Sequence, residues 1–408
     1  MQMWIYVVRR AILLVPIIIG VMTITFALVS SLPVYDQLLA HYGQPPKLRP
    51  WLYQDTVPCS VLGENGTGMC HNFYRDQLLD KLGLNQPLPV QWGLYMIRSF
   101  TFQWGTVNNY STAGQSVPIS KGQPVTTVLS WFLPYTLELA LLALAIILAI
   151  AIPLGNLSAV YRNRPVDQAS RVMSFSGYAI PAFLLGSLLL IGIVLGVSSV
   201  AGSVVHSPWC PNGEPWYNEF TGSWPQQLCF PNQQYPSWLK SGVISSPTGF
   251  PTVDAAIHGQ WWLALDSLFR LILPALVIAF GTIASLLRFV RNSMLEVMNL
   301  DFVRTARAKG VPEKTVIKKH AGRNSLNVTI TVLGLTFAFF IGGFPVIENV
   351  FRLNGVGYIL AISVNMANYP IDFALVFGST LLFTFIVVIA NIIVDVLYAY
   401  LDPRVRLG

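Results

Sequence analysis

The sequence predicts an all-α integral membrane protein with six transmembrane helices and two large, disulfide-bearing extracytoplasmic loops. Composition is the first sign. Of the 408 residues 53% are hydrophobic and 11% charged, at a mean hydropathy of +0.56, where a soluble domain carries about 25% charged residues. The second sign is clustering of those charges, which leaves six long apolar stretches with none: 11–32, 139–160, 172–205, 271–287, 324–347 and 373–394. A helix needs roughly 20 apolar residues to cross the hydrocarbon core, so each stretch is a candidate span. The third is the placement of Lys and Arg. With the N-terminus inside and alternation thereafter, the inside segments 9–10, 162–171, 288–323 and 404–406 hold 16 of the 25, as the positive-inside rule requires. The net charge of +7 therefore reports topology rather than nucleic-acid binding.

Arg9 and Arg10 before an apolar run resemble a signal peptide. The run at 11–32 is longer than the ~7–15 residues of a signal core, and no clean small-x-small site follows, so it reads as an uncleaved first span. Residues 33–123 are rich in Pro, Gly and polar residues, with an amphipathic stretch at 73–84, and read as the first outside segment. The second, 202–262, carries six of the eleven tryptophans and is expected to be irregular. Cys59 and Cys70 fall in the first and Cys210 and Cys229 in the second, which suits two disulfides in an oxidising exterior. The simplest pairing is Cys59–Cys70 with Cys210–Cys229, and cross-loop pairing is the alternative. Without CxxC spacing a zinc site is disfavoured. Asn65 and Asn109 open glycosylation sequons in outside loops, whereas the sequon at Asn327 begins a span on the inside. The fourth span is the shortest, and snorkelling of Arg270 and Arg288 is expected to lengthen it.

No GxxxxGK[ST] loop, HExxH or GxSxG occurs, so the chain has no P-loop, zincin site or nucleophile elbow of its own. A membrane enzyme, the rival class, needs inward-facing acids. Glu138, Glu348 and Asp395 stand at membrane depth or its edge, each as a functional group or as a local cap. Gly342, Gly343 and Pro345 near the outer end of the fifth span offer a gate, or else close helix packing.

One inside segment, 292–323, is long, basic and helix-prone. Within it Asn299 or Asp301 can cap a short helix, Ala306 and Ala308 keep one face small, Gly310 can take a left-handed stop and Pro312 can open the next helix. A two-turn helix with a small-residue face and basic flanks can dock into a groove on another protein, or lie as a solvated loop near acidic headgroups.

Arg304-Thr305-Ala306-Arg307-Ala308-Lys309-Gly310, followed by Val316-Ile317-Lys318-Lys319-His320-Ala321-Gly322-Arg323-Asn324-Ser325-Leu326, resembles the cytoplasmic loop of ABC importer permeases of the dipeptide/oligopeptide/nickel group. The resemblance runs nearly end to end. It includes Leu82–Gln91, Pro134–Ala140, Ser293–Glu296, Glu348, Gly355-Val356-Gly357, Tyr369-Pro370 and Leu401–Arg406. It departs where Pro33–Asp36 replaces the usual P-G-D, where Asn354 replaces Pro, and where Ala367-Asn368 replaces Arg-Asp. What it implies is a type I ABC importer transmembrane domain. A first span lies within 1–32, an extracytoplasmic region at 33–122, the permease core at 123–400, with the insertion 202–262 and a coupling loop at 292–323, and a tail at 401–408. Arg304–Gly310 would couple to ATPases. The implied partners are a homologous second permease, two ATPase subunits that bind ATP and Mg, and an extracytoplasmic solute-binding protein. No cofactor is implied in this chain, both termini would be cytoplasmic, and the membrane would be the plasma membrane. Peptides are the substrate the resemblance implies first, and sugar oligomers second.

Overall fold

The computed structural model describes residues 3–31, 54–62, 69–107, 119, 122–201, 248–325, 344–364 and 371–401. They form twelve α-helices of more than one turn: α1 Met3–Ser30, α2 Phe73–Leu82, α3 Leu88–Phe100, α4 Val125–Val160, α5 Pro165–Ala179, α6 Ala182–Ala201, α7 Pro251–Ile257, α8 Trp261–Met298, α9 Asp301–Ala308, α10 Phe344–Val350, α11 Val356–Val364 and α12 Phe373–Leu401. Two short strands, β1 Thr56–Pro58 and β2 Met69–His71, pair antiparallel with Val57 opposite Cys70. The chain divides into two compact units, one of residues 1–11, 133–358 and 387–408 and the other of 12–132 and 359–386.

Among the described residues, four helices are long and apolar enough to cross a membrane, at Ile12–Ser30, Val125–Val160, Trp261–Met298 and Phe373–Val396. Among the same residues a fifth crossing is available if Pro165–Gly177 and Ala182–Gly192, bent by 104° at their junction, count as one span. The span expected over 172–205 is thus broken by a bend. Pro181 has no N–H to give and crowds its predecessor, so Ile180 is extended at φ −101°, ψ 114° and the helix breaks there. Residues 326–343, most of the expected fifth span, lie outside the described residues, as do Gly342, Gly343, Cys210, Cys229, Asn65, Asn109 and Asn327.

At about 1.5 Å per residue, α8 is roughly 57 Å long, nearly twice the ~30 Å hydrocarbon core, so it carries chain well beyond the membrane. It is also the span most enclosed by protein, with 61% of its apolar window buried against 22–33% in the other three. That enclosure overturns the snorkelling expected of Arg270. Its side chain is 7% exposed, and its Nε and Nη2 donate to the Asp266 carboxylate at 3.0 and 3.1 Å, one turn away. The charge is neutralised within the helix instead of reaching for water.

The amphipathic stretch at 73–84 is α2, where the Asn72 side chain accepts from the Arg75 N–H at 3.3 Å and Gly83 ends the helix at φ 72°. The expected Cys59–Cys70 bridge is formed, with Cα atoms 4.9 Å apart.

Candidate functional site

The segment following α8 is built around its glycine. Leu300 is extended, and its carbonyl accepts from the N–H groups of Val303 and Arg304, so Leu300 rather than Asn299 or Asp301 is the N-cap of α9. This corrects the expected cap. The Asn299 amide instead donates back to the Leu295 carbonyl at 3.0 Å, and Asp301 stands in the first turn, where its charge favours the helix dipole. At the other end Gly310 adopts φ 72°. Its N–H donates to the Arg307 carbonyl at 2.9 Å and the Val311 N–H to the Ala306 carbonyl at 3.2 Å. This double bond pattern closes a helix only when the residue after the cap is left-handed, which is why glycine is needed.

Val303 and Ala306 form the buried face of α9. They pack with Ala159 of α4, Met294 and Val297 of α8, and Val316 and Ala321 of the following segment. The sequence reading placed Ala306 on the small-residue face offered to a partner. The structure turns it inward at 7% exposure, so its small size serves this chain's own packing. Phe302, Arg304, Thr305, Ala308 and Lys309 remain exposed. Arg307 is partly used: its Nε and Nη2 donate to the two carboxylate oxygens of Glu313 at 3.1 and 2.7 Å, and that guanidinium holds the Glu313 carboxyl below the usual range. Pro312 caps a single helical turn, Glu313–Thr315, which widens into a π turn at Val316–Ala321. The Ser293 hydroxyl on α8 then donates to the Ser325 carbonyl at 3.2 Å, closing the loop on the helix it left.

A second cluster, absent from the sequence reading, secures the base of this platform. Asp167, in the first turn of α5, has a side chain with no solvent exposure. Its Oδ1 accepts from the Ser158 hydroxyl of α4 at 2.8 Å and from Arg291 Nε of α8 at 2.6 Å. Its Oδ2 accepts from the Asn163 N–H, from Arg171 Nη2 and from Arg291 Nη2 at 2.9, 2.7 and 3.1 Å. One carboxylate therefore ties three helices together. The local i,i+4 pair Asp167–Arg171 is legible in sequence, but nothing in the spacing brings Arg291 to it.

Two of the three acids at membrane depth, Glu348 and Glu138, act as caps. Glu348 is fully buried and accepts from the Thr136 hydroxyl at 2.8 Å and from the Tyr358 N–H at 3.0 Å. The Val356 N–H donates to the same Thr136 oxygen at 2.9 Å, so Glu348 and Thr136 together bind the first turn of α11. A Cβ on Gly355 would collide with the Glu348 carboxylate, and one on Gly357 would strike the Pro345 backbone. The Gly355-Val356-Gly357 string is thus the space that the buried carboxylate occupies. Glu138 likewise accepts from the Thr252 N–H at 3.0 Å at the start of α7. Among the described residues no group of three or more His, Cys, Asp or Glu is gathered as a metal ion requires.

The family model for the inner membrane component of binding-protein-dependent transport systems matches residues 151–407, which include α8, the glycine-stopped α9 and the Glu348 latch. The chain belongs to that family. Such components are permease subunits, which carry transport rather than catalysis. Curated relatives match end to end. A probable D,D-dipeptide transport system permease protein (DdpB) of Escherichia coli is 32% identical over 100% of this chain and 99% of its own. The oligopeptide transport system permease protein AppB of Bacillus subtilis is 30% identical over 98% and 99%. The dipeptide transport system permease protein DppB of Escherichia coli is 28% identical over 98% of each.

Proposed function

We propose that this chain is one of two permease subunits that form the path of an ATP-driven peptide importer. The peptide substrate class is supported by the names of the dipeptide and oligopeptide permeases it matches over its whole length. The observation that carries the mechanism is α9, a two-turn helix with one face anchored by Val303 and Ala306 and the other exposed. In this reading α9 lies in the cytoplasm and its outer face, centred on Thr305 and Ala308, enters a groove of an ATPase subunit. When the ATPases close on ATP, the motion passes through the cluster of Val303, Ala306, Met294 and Val297 into α8. A lever of this kind needs a rigid joint, and the Asp167 clasp supplies it. The bundle then alternates between two arrangements biased by nucleotide.

The finer architecture belongs to the same proposal. Six spans of the type I importer arrangement cross the plasma membrane, with 326–343 in the fifth, both termini cytoplasmic and a solute-binding protein docking outside. There, Cys210–Cys229 forms the second disulfide and Asn65 and Asn109 are open to glycosylation. Gly342, Gly343 and Glu348 form the outer gate, where release of α11 from Glu348 would change its entry angle. The test is uptake by proteoliposomes carrying the complex. ATP-dependent accumulation of di- or oligopeptides supports the reading. Accumulation of oligosaccharides alone, or no ATP-dependent uptake with either, contradicts it.

A further inference from the structure

Helix α3 lies in a segment whose sequence reads as outside the membrane, yet its contacts are at membrane depth. The apolar stretch of α1, Ile12–Ser30, has 19 residues. At about 1.5 Å per residue it is roughly 28 Å long, against a core of about 30 Å, so all of it is needed to cross. It cannot slide outward, because Arg9 precedes it. Thr25 and Met22 therefore lie about 8 and 12 Å inside its Ser30 end. α3 packs against these residues. Trp92 Nε1 donates to the Thr23 hydroxyl and the Tyr95 hydroxyl to that of Thr25, both at 3.0 Å, while Met96 shares a buried cluster with Met22 and Leu381. Leu381 is eight residues into α12, again about 12 Å from its start. The turn after α3 goes on at that depth, with the rings of Phe102 and Trp104 centred 5.8 and 6.3 Å from that of Phe385.

The outward face of α3 is apolar. Val90, Ile97 and Phe100 are 46%, 62% and 47% exposed, and Arg98 is the sole charged residue in the helix. The aromatic N–H and O–H groups of α3 and of the turn after it are satisfied by protein, Trp92 and Tyr95 as above and Trp104 Nε1 by the Ser99 carbonyl at 3.0 Å. Internal satisfaction is what a water-free setting demands. We propose that α3 is a membrane-embedded helix that does not span, lying in the leaflet at the Ser30 end of α1 with Val90, Ile97 and Phe100 against lipid acyl chains. The occupant is lipid because α1 exposes Ile24, at 63%, at the same depth that Trp92 and Tyr95 reach. This goes beyond the transport reading and holds whichever substrate is carried.

The test uses the full chain in membranes of the producing cell, loaded with a phospholipid bearing an acyl-chain diazirine and irradiated. Adducts are mapped by mass spectrometry, with Ile24 of α1 as the lipid-facing reference. Hydroxyl-radical oxidation of the same membranes is followed at Phe100 against the exposed Tyr74 of α2. The expected result is acyl adducts on Ile97 and Phe100 as on Ile24, with oxidation of Phe100 several-fold below that of Tyr74. Adducts on Ile24 but none on α3 would overturn the proposal. Phe100 oxidised as fully as Tyr74 would then mean a water-facing helix, and protection lost on stripping partner subunits would mean a protein-covered one.

Discussion

Two guanidinium–carboxylate pairs stand near the same platform and do different work. Asp167 is wholly enclosed and shared between Arg171 and Arg291, so it joins α4, α5 and α8. Glu313 is 54% exposed and paired with Arg307 across one short loop, at 38% exposure. Buried, the first pair is costly to break from one side, because a charge is then left where water reaches poorly, the Arg291 side chain being 15% exposed and that of Asp167 not at all. The second gains little, because water solvates either partner alone. The difference separates what makes the platform rigid, namely the Asp167 clasp and the apolar cluster, from what α9 leaves free for a partner.

The largest expected effect therefore lies at Asp167. Asp167→Ala strands Arg291 and should destabilise the protein by about 3 kcal/mol, read as a lowered unfolding midpoint in detergent. A fall below about 1 kcal/mol, the range of exposed pairs, would erase the contrast. Gly310→Val comes next. No atom lies within 4 Å of a Cβ there, so the cost is backbone strain alone, about 1–2 kcal/mol. Since the strain falls on the turn that fixes α9, coupling should be lost more than stability. Ala306→Glu is expected to act first on folding, since it drives a charge into the cluster with Val303. Arg307→Ala should be the mildest, at less than about 1 kcal/mol. Because Arg307 lowers the Glu313 pKa, the pair stabilises above the ordinary Glu pKa of about 4.3 and that contribution fades as pH falls through the lowered value. The gap between wild type and Arg307→Ala, measured by unfolding midpoint, should shrink as pH is brought below about 4.

The stop of α9 was legible in sequence, because Gly310 and Pro312 act locally. Its facing was not. Ala306 and Ala308 are two residues apart and so point differently on a helix, and composition alone could not say which one the chain would cover with Val316 and Ala321. The Asp167 clasp escaped because Ser158, Asp167 and Arg291 meet only after three helices have packed. Pro181 marked the break in the 172–205 stretch, but the lack of charge on both sides hid it. α3, at 13 residues, is too short for any span criterion, and its depth shows only in what it touches. Cys59–Cys70 was readable because the two lie eleven positions apart and both fall in one loop.

The central claim is that the outer face of α9 transmits ATPase motion while its inner face merely holds it in place. Ala308 is exposed, so Ala308→Trp adds bulk where this chain has none to displace. The direct measurement is substrate-stimulated ATP hydrolysis by the reconstituted complex, alongside the unfolding midpoint of the variant chain. The account predicts an unchanged midpoint with stimulation lost or the ATPases released. Wild-type stimulation with the ATPases still bound would contradict it.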